Sequence, residues 1–254
     1  MKHTSAILAA MTLATMARAD TLAERLWAAY DPVQSVSAEL RRETRAEGGN
    51  TLRMLSRVHW RRGDRLHAET VTPIRRRVVA DGMKLFSYME GDPLGFARPI
   101  EQLDPDWRIS LRKIPATPTE YLLRLQGVAE TERPATSEHP VRRGYDTGRV
   151  HAVLCLDRDG RLACVETYAD AEANEPIAVH RFEQWEERAG AWFSRRQHME
   201  TRVDGQRLRE TVQVLRLEVN VAMPDLLFQP GRFFKDVRFT DDLRRIYPPG
   251  ETER

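Results

Sequence analysis

The sequence predicts a mainly β protein built on antiparallel strands, and three observations support that reading. Apolar and charged residues alternate along successive segments, short turn pairs containing glycine separate those segments, and only two stretches show the spacing of a helix. Alternation with period two gives a strand one apolar and one charged face, as in an antiparallel sheet wetted on one side.

Residues 1–19 are read apart from the fold. Lys2 and His3 precede an uncharged run, 4–17, and Ala17-Arg18-Ala19 offers small residues for cleavage, which is the layout of a signal peptide. The run is shorter than the about 20 apolar residues that a membrane-spanning helix needs, and no comparable run follows. No cysteine stands at the junction to accept a lipid anchor. Cleavage takes 19 residues from 254 and leaves 235; it also removes Lys2 and Arg18, so the formal charge of +2 falls to zero. A soluble periplasmic domain, 20–254, is expected, acting as a monomer. Arginine alternates with glutamate and aspartate instead of forming a basic surface, which excludes nucleic acid as a partner.

Asp20 or Thr21 is expected to cap a helix running to about Tyr30, with Leu22, Leu26 and Ala29 on one stripe. Asp31-Pro32 ends it. Val36, Ala38 and Leu40 then alternate with Ser37, Glu39 and Arg41; Leu52, Met54, Val58 and Trp60 alternate with Arg53, Arg57, His59 and Arg61; Leu66, Ala68 and Thr70 alternate with Arg65, His67 and Glu69. Turns fall at Gly48-Gly49-Asn50 and Arg62-Gly63-Asp64. Strands over 75–80 and 83–89 flank Asp81-Gly82, a strong hairpin signal. Residues 91–115 read as a proline- and glycine-rich passage. Thr117 and Glu120 then form a capping box, Pro118 takes the first helical position and Gly127 follows the last turn. That second helix presents Tyr121, Leu122 and Leu125 as an apolar stripe. Long strands resume over 142–219, with turns at Asp159-Gly160, Ala189-Gly190 and Asp204-Gly205. A short helical turn from Pro224, a last strand near 235–239 and a loose tail from about 241 complete the chain.

Cys155 and Cys164 belong to a chain expected in a compartment where disulfides persist. A two-residue turn at Asp159-Gly160 pairs 155 with 164, with Cα atoms about 4.5 Å apart, within reach of a disulfide. A type I turn with Gly160 as a bulge pairs 155 with 163 instead and sends the sulfurs to opposite faces. The disulfide is the expectation. No Cys-x-x-Cys, Gly-x-Ser-x-Gly or His-Glu-x-x-His motif occurs, and carboxylates are too numerous to single out a pair. No catalytic residue, metal or cofactor is therefore expected. His59 and His67 fall on charged strand faces and read as solvated. The run Arg75-Arg76-Arg77 suits anionic lipid head groups or, equally, a charged outer strand that discourages edge pairing.

The stretch 62–88 resembles the bacterial outer-membrane lipoprotein carrier family (LolA-like). The resemblance rests on Arg62, on Thr72-Pro73, and on the hairpin Val78-Val79-Ala80-Asp81-Gly82-Met83-Lys84-Leu85-Phe86-Ser87-Tyr88. In the family that hairpin reads Val-x-Asp-Gly-x-x-Leu-Trp-x-Tyr. Gly63 replaces the family's proline after the arginine, and Phe86 its tryptophan. The two helices and the segment 219–228 match more weakly. The resemblance implies a half-open antiparallel β-barrel whose concave apolar face is covered by short helices. It implies a non-enzymatic periplasmic carrier that holds lipoproteins or lipids by their acyl chains and moves them toward the outer membrane. An inner-membrane donor complex and an outer-membrane acceptor are the implied partners, and Arg62 is the implied lock on the lid helices.

The alternation agrees with such a fold. An apolar face three strands wide must be hidden, and two short helices are a thin cover for it. A hydrophobic cavity lined by Leu40, Met54, Trp60, Leu66, Tyr121, Leu122 and Leu125 is expected; the competing reading is that these side chains fill the space. The rival functions are a sensor or interaction module of the same fold and a secreted hydrolase with an unrecognised site.

Overall fold

The two-residue alternation folds into a single sheet. In the computed structural model, which describes residues 20–246 except Asp204, fourteen strands form one sheet that does not close on itself. The expected signal peptide, 1–19, and residues 247–254 lie outside the described residues. The first six strands are β1 (Ser35–Ala46), β2 (Thr51–Arg61), β3 (Arg65–Thr72), β4 (Arg76–Asp81), β5 (Lys84–Met89) and β6 (Gly95–Pro99). After the helices come β7 (Glu130–Glu132), β8 (Val141–Asp146), β9 (His151–Leu156), β10 (Leu162–Tyr168), β11 (Ala178–Arg188), β12 (Ala191–Val203), β13 (Gln206–Val219) and β14 (Phe239–Thr240). The spatial order is β14-β6-β5-β4-β3-β2-β1-β13-β12-β11-β10-β9-β8-β7. Two antiparallel meanders thus meet along β1 and β13, and only β14 pairs in parallel, with β6.

Three helices lie across the inner face: α1 (Leu22–Ala28), α2 (Pro105–Arg112) and α3 (Thr119–Arg124). Thr21 caps α1 as expected, and Glu24 completes a capping box. The N–H groups of its first turn find further partners, Leu22 on the Glu130 carboxylate (2.6 Å) and Ala23 on the Tyr145 hydroxyl (3.1 Å), which satisfies donors that a helix start leaves open. The largest core cluster packs Leu22, Ala23, Leu122 and Leu125 from α1 and α3 against Val36, Trp60, Phe182, Phe193 and Val214 of the sheet.

Several expectations need correction. The proline- and glycine-rich passage 91–115, in which the sequence suggests no element, contains β6 and the whole of α2. The capping box at Thr117 does not form. Its hydroxyl donates to the Ile114 carbonyl (2.7 Å), while Glu120 pairs with Lys113 (2.7 Å) and Arg124 (3.1 Å), and α3 begins at Thr119. A carboxylate gains more from two cations than from one backbone N–H. In the β4–β5 hairpin Ala80 faces Leu85, so the two-residue loop is Gly82-Met83. Asp81 sets this one-residue shift by accepting from the N–H groups of Met83 and Lys84, each at 2.8 Å. The tail from 241 is not loose through 246, because Leu243 and Ile246 pack beside Phe96 and Trp107.

The outer face of β2–β5 is not simply wetted either. Residues 225–240 cross it, with Phe233 over His67 (4.5 Å between ring centres) and Phe234 beside Phe86 and Phe239. His67, expected to be solvated, is buried beneath that strap with neither ring nitrogen hydrogen-bonded.

Candidate functional site

Strand register lays out the inner face of β1–β5 in three rows. Val36, Trp60, Leu66, Ala80 and Leu85 form the first; Ala38, Val58, Ala68, Val78 and Ser87 the second; Leu40, Ser56, Thr70, Arg76 and Met89 the third. The first row is wholly apolar, the second holds one hydroxyl, and the third holds two hydroxyls and a guanidinium. Polarity therefore rises along the strands from one end of the face to the other.

Helix α2 covers this face at β3–β5. Its C-terminal end is fixed over the apolar row, where the Trp60 indole N–H donates to the Leu111 carbonyl (3.0 Å) and Arg112 grips the Asp64 carboxylate with two bonds of 2.9 and 3.0 Å. Arg124 of α3 bonds Asp106 near the other end. Between α2 and the strands lies a groove of about 390 Å3, floored by Leu66, Ala68, Val78 and Leu85 and roofed by Trp107 and Leu111. A second space of about 280 Å3 continues on the far side of Trp107, among Met89, Leu94, Phe96 and Ile246. Arg76 and Trp107 border both. Volumes of this order suit small-molecule sites, which run from about 300 to 1,000 Å3.

The seven residues expected to line a cavity separate into three groups. Leu66 lines the groove. Trp60, Leu122 and Leu125 are buried in the packed core under α1 and α3, with Leu40 and Tyr121 against its edge. Tyr121 is held there by a bond between its hydroxyl and Nδ1 of His180 (3.0 Å), and burial pushes its pKa up. Met54 faces Arg42 farther along β2. The open space is thus displaced from the centre of the expected cavity toward β3–β5. Val78, Leu85, Trp107 and Leu111 were missed with α2, although Asp104-Pro105 ahead of Trp107 and Leu111 at i and i+4 is a helix signal.

Arg62 reaches the chain just after α1. Its guanidinium donates to the carbonyls of Tyr30 (3.0 Å), Asp31 (3.3 Å) and Val33 (3.2 Å). It therefore ties α1 to the β2–β3 turn and touches neither α2 nor α3 through these bonds.

Cys155 and Cys164 face each other across β9 and β10 as free thiols. A hydrogen bond from Cys164, aided by Arg142, draws the Cys155 thiol pKa down and pushes that of Cys164 up. Their sulfurs and a Glu166 oxygen lie within 4.8 Å of one another. Glu166 is already engaged by Arg142 and by the Tyr168 hydroxyl (2.8 Å), and a guanidinium beside the thiols opposes a metal cation. Among the described residues no helix is long and apolar enough to cross a membrane.

No protein-family model matches the sequence, and no curated protein is detectably similar to it. Solved structures are similar. A LolA superfamily protein from Nitrosomonas europaea superposes with a TM-score of 0.52 at 13% identity, over 82% of this chain and 96% of that one. A DUF1329 family protein from Desulfovibrio piger gives 0.56 at 14% identity, over 83% and 95%. A domain from Vibrio parahaemolyticus named for outer membrane lipoprotein sorting gives 0.56 at 11% identity, over 83% and 96%. At these identities the likeness is one of fold. The sheet left open, its apolar inner face and the short helices laid across it are the LolA-like fold.

Proposed function

We propose that the protein is a non-enzymatic periplasmic carrier that holds lipids or lipoproteins by their acyl chains and moves them toward the outer membrane. The observation that supports this reading is the groove of about 390 Å3 left between α2 and the apolar rows of β3–β5. Burial of an acyl chain there is worth about 0.8 kcal/mol per methylene, and α2 is a cover only eight residues long. The donor and acceptor membrane complexes belong to the same proposal, as does a role for Arg62 in holding α1 against the sheet.

The test combines two measurements on wild-type protein purified from the periplasm: mass spectrometry of co-extracted lipids, and titration with a fluorescent fatty-acyl probe. Saturable probe binding that is lost in Trp107→Glu, with the fold retained, is the expected result. Absence of both bound lipid and probe binding would overturn it. Co-purification of a membrane protein without lipid would favour the sensor reading instead.

A further inference from the structure

The three consecutive arginines 75–77, the first just ahead of β4 and the other two on it, do not share one fate. Arg75 and Arg77 both pair with Glu69, at 3.5 and 2.7 Å. Arg76, between them, points to the opposite face because side chains alternate along a strand. There it borders both spaces beside Trp107. Its Nε and Nη2 donate only to the Ser87 hydroxyl, each at 3.3 Å, and among the described residues no carboxylate forms an ion pair with it. Two carboxylates border the same spaces, and neither neutralises it: Asp106 is bound by Arg124, and Asp92 forms no ion pair with Arg76.

A half-buried guanidinium without a counter-ion, bordering an apolar space, is free to make charge-assisted bonds to an anionic ligand. The rows of the face supply the rest of the complementarity. Leu66, Ala80 and Leu85 make the apolar end, and at the polar end Thr70 stands beside Arg76 with Ser56 beyond it, their hydroxyls 3.4 Å apart. Resting on the carrier reading, we infer that the groove selects an amphiphile with an anionic head, its carboxylate or phosphate bound by Arg76 and its chain running under Trp107 toward Leu111. A planar guanidinium is suited to either anion, since it donates two parallel bonds.

The test uses the full mature chain and four ligands of one chain length below their micellar concentrations: a fatty acid, an alkyl phosphate, the fatty alcohol and an alkyl trimethylammonium. Wild-type protein is expected to bind the two anions about tenfold more tightly than the alcohol, the size expected of a charge-assisted hydrogen bond, and the cation more weakly still. Arg76→Gln keeps a donor for Ser87 and is expected to erase the preference for the anions over the alcohol. Arg75→Gln, on the outer face, is the control and keeps it. Whichever anion binds more tightly identifies the source as a free fatty acid or a phosphorylated lipid head. Equal affinity for all four ligands, or an Arg76→Gln variant that retains the preference, overturns the inference alone. Failure of every ligand to bind removes the carrier reading and this inference together.

Discussion

Cys155 and Cys164 stand opposite each other through two compensating irregularities. The turn that forms is the bulged one, with Gly160 at a φ of 77° and its N–H on the Asp157 carbonyl at 3.1 Å, so Leu156 faces Leu162. A second irregularity at Ala163 then restores the pairing of 155 with 164. The lowered pKa of one thiol prepares it to attack in thiol exchange. We expect protein from an oxidising compartment to take up no alkylating reagent until reduced, by intact mass. Closure should stabilise the fold by at most about 2.7 kcal/mol on the chain-entropy estimate. Two alkylated thiols in the unreduced protein would sink the idea. His67 supplies a pH test. Burial under Phe233 lowers its pKa from 6.5 to about 4, with His59 and Arg77 adding to the effect and Glu69 opposing it; burial does the same for His180, also to about 4. The unfolded chain therefore binds more protons than the folded one between pH 6.5 and 4. Stability is full above the unfolded value and is lost as pH falls through that window. Melting temperature should drop across it, and His67→Phe should flatten the drop.

Helices α2 and α3 are both short amphipathic covers, yet they do different work. Leu122 of α3 is fully buried among Trp60, Phe182 and Val214, whereas Trp107 of α2 roofs open space and is only partly buried. A charge at Leu122 must enter a packed core, so Leu122→Glu should cost more than about 4 kcal/mol in denaturant unfolding. Trp107→Glu should cost little and abolish acyl-probe binding. The reverse ranking would place the ligand under α3, in the cavity first expected there. The arginine tie from Arg62 to the chain after α1 and the Asp64–Arg112 bond to α2 both lie at the β2–β3 turn, whereas the start of α1 is held by Glu130 and Tyr145 on β7 and β8. The N-terminal half of α2 is held to the rest through Asp106 and Arg124, a pair more exposed than the buried Trp60 bond.

Across the whole molecule, an open sheet has two edges and two faces to protect. One edge ends in a three-residue strand, Glu130–Glu132, with an acid at each end, and the other in the two-residue β14, both short enough to discourage pairing with another chain. The strap over 225–240 closes the outer face of β2–β5, where Arg61 stacks on Phe228 (4.7 Å) and Arg77 on Phe233 (5.0 Å). Phe239 packs against Gly95, where any β-carbon would come within 2.5 Å of its ring. Phe234 is buried among Phe86, Tyr88 and Phe239, so Phe234→Ala should destabilise by about 3 to 5 kcal/mol. A change below about 1 kcal/mol would show that the strap rests on the sheet without holding it.

Much of this architecture is local and was legible in the sequence. Alternation in β1–β3, the Thr21 cap, the presence of a hairpin between β4 and β5 and the turn at Ala189-Gly190 each depend on neighbours a few residues away, and the open antiparallel sheet with short helices follows from them. The burial of His67, the position of the tail at Leu243 and Ile246, and the displacement of the groove to β3–β5 depend on segments far apart in the chain. A side chain on a charged strand face becomes buried only when a distant strap covers it, and a cavity exists only where the covering helix fails to fill the space beneath it. Which of the three arginines 75–77 lacks a counter-ion was likewise a matter of register and of Glu69 on the adjacent strand, decided by tertiary structure alone.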